Sequence, residues 1–263
     1  MNLLDQKIQQ IKKDKKIGLM AHVVIGYPSL SETVSIVKTM TEAGVDIVEL
    51  QIPFSDPLAD GPTIMRACEK SLEQGTRVKD AFVVMKKLST KVTTPLLFMA
   101  YYNTVFNYGV EKFCREAKNA GASGLIVPDM PIDEEKGEGY YSACKKYDLH
   151  AIHVLSPAST PDRLQKNAKV ATGFVYCTAR QGITGAKDSL DPTLVSYLQK
   201  MRKYFSIPVA VGFGISKKEH LEMLKKNADI AIVGSAVIDL INKSPKEKLQ
   251  QNIRRFFAEL MIQ

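Results

Sequence analysis

Residues 46–62 read DIVELQIPFSDPLADGP and hold the acids with the most chemical promise in the chain. Glu49 stands inside an apolar run, and the loop after it carries Asp56 and Asp60 among prolines and a glycine. Side chains of like parity share one face of a strand, so Ile47, Glu49 and Gln51 point one way and Val48 and Leu50 the other. If Val48 and Leu50 pack outward, Glu49 points into the molecule. An unpaired inward acid is costly, so it is expected to be used, and a desolvated carboxylate suits proton transfer near neutrality. Asp60 follows eleven positions later, near enough to serve the same ligand from another side. Two carboxylates in unlike surroundings can divide the work, one exchanging protons and one holding charge. Asp56, in SDP, reads equally well as a turn residue.

A second set of residues points to an anion. GFGIS (212–216) and GSAV (234–237) are glycine loops at the ends of late apolar runs, and GITGA (182–186) is a third. Glycine lets backbone N–H groups approach phosphate oxygens, and Ser235 adds a hydroxyl. Gly185, Gly214, Gly234 and Ser235 are the candidate cradle. Between acids and glycines, Met99, Tyr101, Ile126, Pro128, Val154, Tyr176 and Phe213 end apolar runs and read as core or as the walls of a flat cleft.

These residues need a scaffold that brings strand ends together. Eight short apolar runs begin near Gly18, Val45, Pro95, Ser123, His150, Gly173, Ile207 and Ala228, each closing in a Gly/Pro/Asp-rich loop. Near-continuous hydrophobicity suits strands covered on both faces, as in parallel sheets. Helical-period segments lie between them, at 31–44 and 110–121, with Gly44 and Gly121 at the C-cap positions. The segment from Ser216 reads as a helix with Ser216 as its N-cap. Eight β-then-α units in 263 residues fit an α/β fold, a (β/α)8 TIM barrel forming one domain over 1–263. An initial amphipathic helix covers the floor and a C-terminal helix closes the structure. A doubly wound open sheet is the rival, poorly served by the lack of a GxGxxG loop. In a barrel, chemistry gathers at the C-terminal strand ends, where these loops fall.

Composition narrows the function classes. No run is long enough to span a membrane, and the N-terminus lacks a signal-peptide core, so a cytoplasmic protein is expected. Cys68, Cys114, Cys144 and Cys177 are scattered without CxxC spacing and read as reduced thiols. The four histidines show no metal pattern, so no metal site is expected. The net charge of +8 comes from lysine doublets on presumed helix faces and ends, without an aromatic-basic motif, which argues against nucleic acid.

VELQIPFSDPLADGPTI, YYNTVFNYG, VPDMP, ARQGITGA, GFGIS and GSAV, in this order, closely resemble the tryptophan synthase α subunit family, from about Gly18 to the C-terminus. The resemblance implies retro-aldol cleavage of indole-3-glycerol phosphate to indole and glyceraldehyde 3-phosphate in tryptophan biosynthesis. It implies Glu49 as the acid/base and Asp60 as the acceptor of the indole N–H. It places Tyr176 near the reacting centre and Thr184 against Asp60 on loop closure, and Ile64 joins the substrate-facing set. Gly185, Gly214, Gly234 and Ser235 match the phosphate cradle. Residues 53–61 and about 180–190 are implied to be lids. Asp56, Asn103 and Pro131 are implied to face a β subunit in an α2β2 heterotetramer with allosteric coupling. Pyridoxal phosphate would belong to that partner, so no cofactor is expected in this chain.

Two residues depart from the pattern. His22 stands where the family offers an apolar or aromatic pocket residue and is expected to edge the indole. Gln51 stands where glycine is common. Neither is expected to touch the two carboxylates. One rival is another phosphate-binding barrel enzyme, which would need a strand-end lysine or a cysteine–aspartate pair. The other is a catalytically weak barrel acting mainly as an allosteric partner of the β subunit.

Overall fold

The computed structural model describes residues 1–178, 192–212 and 214–261. Eight parallel strands close into a barrel in sequence order: β1 (Gly18–Val24), β2 (Ile47–Gln51), β3 (Leu96–Met99), β4 (Gly124–Ile126), β5 (His150–Leu155), β6 (Val175–Thr178), β7 (Val209–Gly212) and β8 (Ile230–Val233). The strands read as unbroken apolar runs because both faces are covered. Ala21, Val23, Val48, Leu50 and Phe98 pack outward against the helices. Met20, Ile47, Leu97, Ile152, Phe174 and Ile230 fill the inside. Glu49 is therefore an inward residue, as strand parity required.

The floor is sealed by the helix Leu3–Lys13, whose Leu4 and Ile8 join the inner core. Asn2 caps this helix by accepting the Leu4 N–H at 3.0 Å, and its amide donates to the carbonyls of Ser123 and Asp148, each at 3.0 Å. One side chain thus ends the helix and ties it to the barrel. Asp46 belongs to the same end: it accepts the Leu19 N–H at 3.0 Å and pairs with Lys16 at 3.0 Å and Lys7 at 3.5 Å. It is a structural acid, far from the strand ends where ligands bind.

The helix Leu30–Glu42 follows β1, and the closing helix Leu249–Met261 packs on it, with Arg254 reaching Glu42 at 3.1 Å. Gly44 and Gly121 both have positive φ just past a helix end, the conformation that glycine adopts without a Cβ penalty. The Ser216 cap is a correction. The helix spans Lys218–Leu224 with Lys217 as cap residue, and the Ser216 N–H instead donates to His220 Nδ1 at 3.3 Å. The lysine doublets at 12–13, 86–87 and 145–146 occupy last helical turns, where cations complement the macrodipole. All four cysteines are buried free thiols.

Among the described residues, no helix is long and apolar enough to cross a membrane, and no His/Cys/Asp/Glu group could hold a metal ion.

Candidate active site

The C-terminal ends of the strands surround a cavity of about 390 Å³. Glu49 and Asp60 both line it, with Met99, Ile126, Pro128, Val154 and Tyr176 as walls and Gly214, Gly234 and Ser235 at the side of the late strands. Ile64 and His22 complete the part near β1 and β2. Gly212 and Ile215 of the GFGIS loop also reach the cavity, as do Thr178 and Ile232, which were not singled out in the sequence. Thr184, Gly185 and Phe213 lie outside the described residues.

Glu49 projects from the middle of β2 and is 3% exposed. β1 and β2 pair so that His22 is its direct neighbour, and His22 Nδ1 approaches Glu49 Oε2 to 3.3 Å. The contact pairs charges without the alignment of a hydrogen bond, and Oε2 has no donor among the described residues. Burial pulls His22 down from its ordinary value. The Glu49 carboxylate, helped by Asp60 and Gln51, outweighs that pull and leaves His22 raised.

Asp60 reaches the cavity from the loop between β2 and the helix Pro62–Glu73, just before the cap residue Gly61. Pro62 sits at the first helical position, where its missing N–H costs nothing. Asp60 Oδ2 accepts two hydrogen bonds, from Gln51 Nε2 at 2.6 Å and from the Tyr101 hydroxyl at 3.0 Å. The same hydroxyl accepts the Ala59 N–H at 2.9 Å, and the Tyr101 ring stacks on Phe54 at 5.2 Å. The loop is thus held down on the end of β3 by one tyrosine. Burial raises the Asp60 carboxyl above its ordinary value; His22, Gln51 and Tyr101 act against that, and Glu49 adds to it. Burial, then Asp60, keeps the Tyr101 phenol protonated.

Two expectations change here. His22 and Gln51 touch the carboxylates directly, one at Glu49 and the other at Asp60. Tyr101, expected as a wall, stands behind Asp60 as its donor. Strand parity alone places Gln51 on the Glu49 face, which was the available signal. The His22–Glu49 adjacency needs the register between strands, and no single strand's sequence contains it.

Beside His22 and Ile64, the helix Ser235–Lys243 begins with Gly234 as cap residue and no side-chain cap. Its first N–H groups and the positive end of its dipole therefore face the cavity, an arrangement suited to phosphate. Gly214 has φ +83°, a backbone conformation that side chains rarely adopt. Tyr176 spans the middle: its hydroxyl lies 3.5 Å from where a Cβ on Gly212 would stand. Burial, then the charges of Glu49 and Asp60, keeps its phenol protonated.

The fold and the cavity are those of a (β/α)8 barrel whose strand ends bring together an apolar cleft, a helix N-terminus and two carboxylates. A model of the family described as tryptophan synthase alpha chain matches residues 8–261. The chain is 45% identical to the tryptophan synthase alpha chain of Desulfotalea psychrophila, covering 92% of this chain and 94% of that one. It is 40% identical to that of Petrotoga mobilis, over 97% and 99% respectively. Among solved structures, tryptophan synthase subunit alpha from Legionella pneumophila superimposes with a TM-score of 0.90 at 29% identity, covering 99% of this chain and 97% of that one. A chain of Mycobacterium tuberculosis tryptophan synthase in its aminoacrylate-bound form gives 0.88 at 29% identity, covering 99% and 98%. The chain belongs to the tryptophan synthase alpha chain family.

Proposed function

We propose that this barrel cleaves indole-3-glycerol phosphate to indole and glyceraldehyde 3-phosphate, with Glu49 and Asp60 as the working carboxylates. The observation that carries the reading is the convergence of both acids on one cavity, which an uncapped helix N-terminus also borders. The indole ring lies between Met99, Ile126 and Val154, and the phosphate meets the N–H groups around Gly214, Gly234 and Ser235.

Cleavage requires the ring to accept an electron pair. The Glu49 carboxyl gives its proton to the ring carbon that bears the side chain, which makes an iminium-like ring, and the Asp60 carboxylate stabilises it by accepting the indole N–H. Glu49 then takes the proton of the side-chain hydroxyl next to the ring. The carbon–carbon bond breaks, its electrons return to the ring, and the hydroxyl carbon becomes the aldehyde. One proton enters at carbon and one leaves from oxygen, so indole and the triose phosphate balance the substrate. Gln51 and Tyr101 hold Asp60 in place, and the Tyr176 hydroxyl stays neutral as a donor near the reacting atoms.

The partner is a β subunit, in an α2β2 heterotetramer. Asp56 and Asn103 are exposed on the strand-end face, together with Leu58 and Phe106, which are 94% and 56% exposed. Large apolar side chains left open beside the active-site mouth support docking there. Pyridoxal phosphate works in that partner; among the described residues the cavity wall offers no lysine to form a Schiff base here. The 53–61 loop serves as a lid through which the partner's state reaches Asp60. A cytoplasmic location accords with the free, buried thiols.

The test is the formation of indole and glyceraldehyde 3-phosphate in equal amounts from indole-3-glycerol phosphate, with and without a β subunit. Detectable release alone and a strong rise with the partner are expected. A chain inert even in the complex would support the reading of a binding-only barrel instead.

A further inference from the structure

His22 and Gln51 meet at the barrel mouth because β1 and β2 pair in register: His22 faces Glu49, and Gln51 lies two residues further along the same inward face. All three side chains are buried. His22 Nδ1 is 3.3 Å from Glu49 Oε2, and Gln51 Nε2 donates to Asp60 Oδ2 at 2.6 Å. Two atoms are left over. Among the described residues, buried His22 Nε2 and buried Gln51 Oε1 have no hydrogen-bond partner. A glutamine whose nitrogen is committed to a carboxylate has only its oxygen left to offer, and a cationic imidazole has only hydrogens. The two orphans are thus of opposite sense, and buried groups of this kind are rarely left unmatched.

From this geometry we infer that His22 is a positioning residue for the reaction: with Gln51 it joins the two carboxylates into one unit, Glu49–His22–Gln51–Asp60, which tightens into continuous hydrogen bonding when a ligand fills the cavity and sets one positive charge between the two acids. The inference rests on the reading of Glu49 and Asp60 as the working carboxylates. Two like charges in a small dry cavity resist simultaneous ionisation. An imidazolium between them lets Asp60 hold its charge at the ring nitrogen while Glu49 exchanges its proton.

The surroundings of His22 fit this role. Burial opposes its charge, but Glu49, Asp60 and Gln51 together raise it above its ordinary value. The titratable groups around it are Glu49 on β2, Asp60 and Tyr101 on the loops above, and Tyr176 on β6, both phenols being held protonated. Among the described residues no lysine or arginine lines the cavity, and of these residues His22 is the side chain there that can carry positive charge. A raised histidine keeps its proton through the ordinary value and loses it as pH rises through the higher one. The unit therefore works below that point and fails above it.

The test has two arms. Histidine NMR titration of the full, ligand-free chain follows four imidazoles, with His22 assigned by its loss in His22→Phe. His22 is expected to titrate above the ordinary value of 6.5 in wild type and below it in Glu49→Gln, where burial is left largely unopposed. Gln51→Gly should lower it by a smaller step. In steady-state kinetics with indole-3-glycerol phosphate, the alkaline limb of kcat/KM that His22 contributes should vanish in His22→Phe. It should vanish equally in His22→Gln, which keeps a buried polar side chain without the charge. Both should lower kcat by about tenfold and change KM by less than about threefold. His22→Phe and Gln51→Gly should combine less than multiplicatively, because each breaks the same unit. A His22 titration unmoved by Glu49→Gln, or an alkaline limb that survives in both His22 variants, would overturn the inference. The NMR arm needs no turnover, so failure of the proposed activity and failure of this unit read out separately.

Discussion

At the scale of single residues, the site depends on keeping Asp60 ionised while burying it. Burial raises its carboxyl, and the hydrogen bonds from Gln51 and Tyr101 work in the opposite direction. Because the folded value lies above the ordinary one, the charged form is lost as pH falls through a point above the usual aspartate range, and activity should fall there. The same sign means that folded stability contributed by Asp60 decreases as pH rises through that window, since the native state holds the proton more tightly than the unfolded chain. Tyr101→Phe removes one donor and should push Asp60 further up. A pH–rate profile should show the acid limb moved to higher pH and kcat reduced by about tenfold. An acid limb at the wild-type position would mean that the Tyr101 hydroxyl does not govern Asp60.

At the scale of elements, the N-terminal helix stands in for a floor that the strands do not supply. Leu4 is fully buried in the inner core, so Leu4→Ala leaves a hole rather than a surface change. The expected cost is about 2–5 kcal/mol, read from urea denaturation midpoints at constant slope, with kcat nearly unchanged well below the transition. This predicts separation of floor and mouth: stability falls while chemistry persists. Much of this level was legible in the sequence. Unbroken apolar runs such as VAVG and IAIV announce strands covered twice, and the loops PFSDPLADGP, PDMP and GSAV follow strands. The Ser216 cap was not legible, because His220 takes the Ser216 N–H from a turn away and the helix starts later. Nor were the neighbours of Glu49 and Asp60. His22 and Gln51 come to matter through β1–β2 register and the folded-down loop, and both are long-range outcomes of barrel closure.

At the scale of the whole molecule, one face of the barrel carries the cavity, the 53–61 loop and the exposed side chains of Leu58 and Phe106. Asn103 and Phe106 are three apart on the helix Tyr102–Tyr108 and so share a face. Phe106→Asp should weaken binding of the β subunit by at least about tenfold, close to 1.4 kcal/mol, in titration calorimetry. Indole release by the separate chain should stay the same, since Phe106 lies outside the cavity wall. Turnover itself rests on one carboxylate. Glu49→Gln keeps the size of the side chain and removes its capacity to take a proton. Indole release from indole-3-glycerol phosphate should be measured for this variant and for wild type, each with saturating β subunit. A fall in kcat of about 10²–10⁴ is expected, with substrate affinity changed by less than about threefold. An unchanged rate would contradict it.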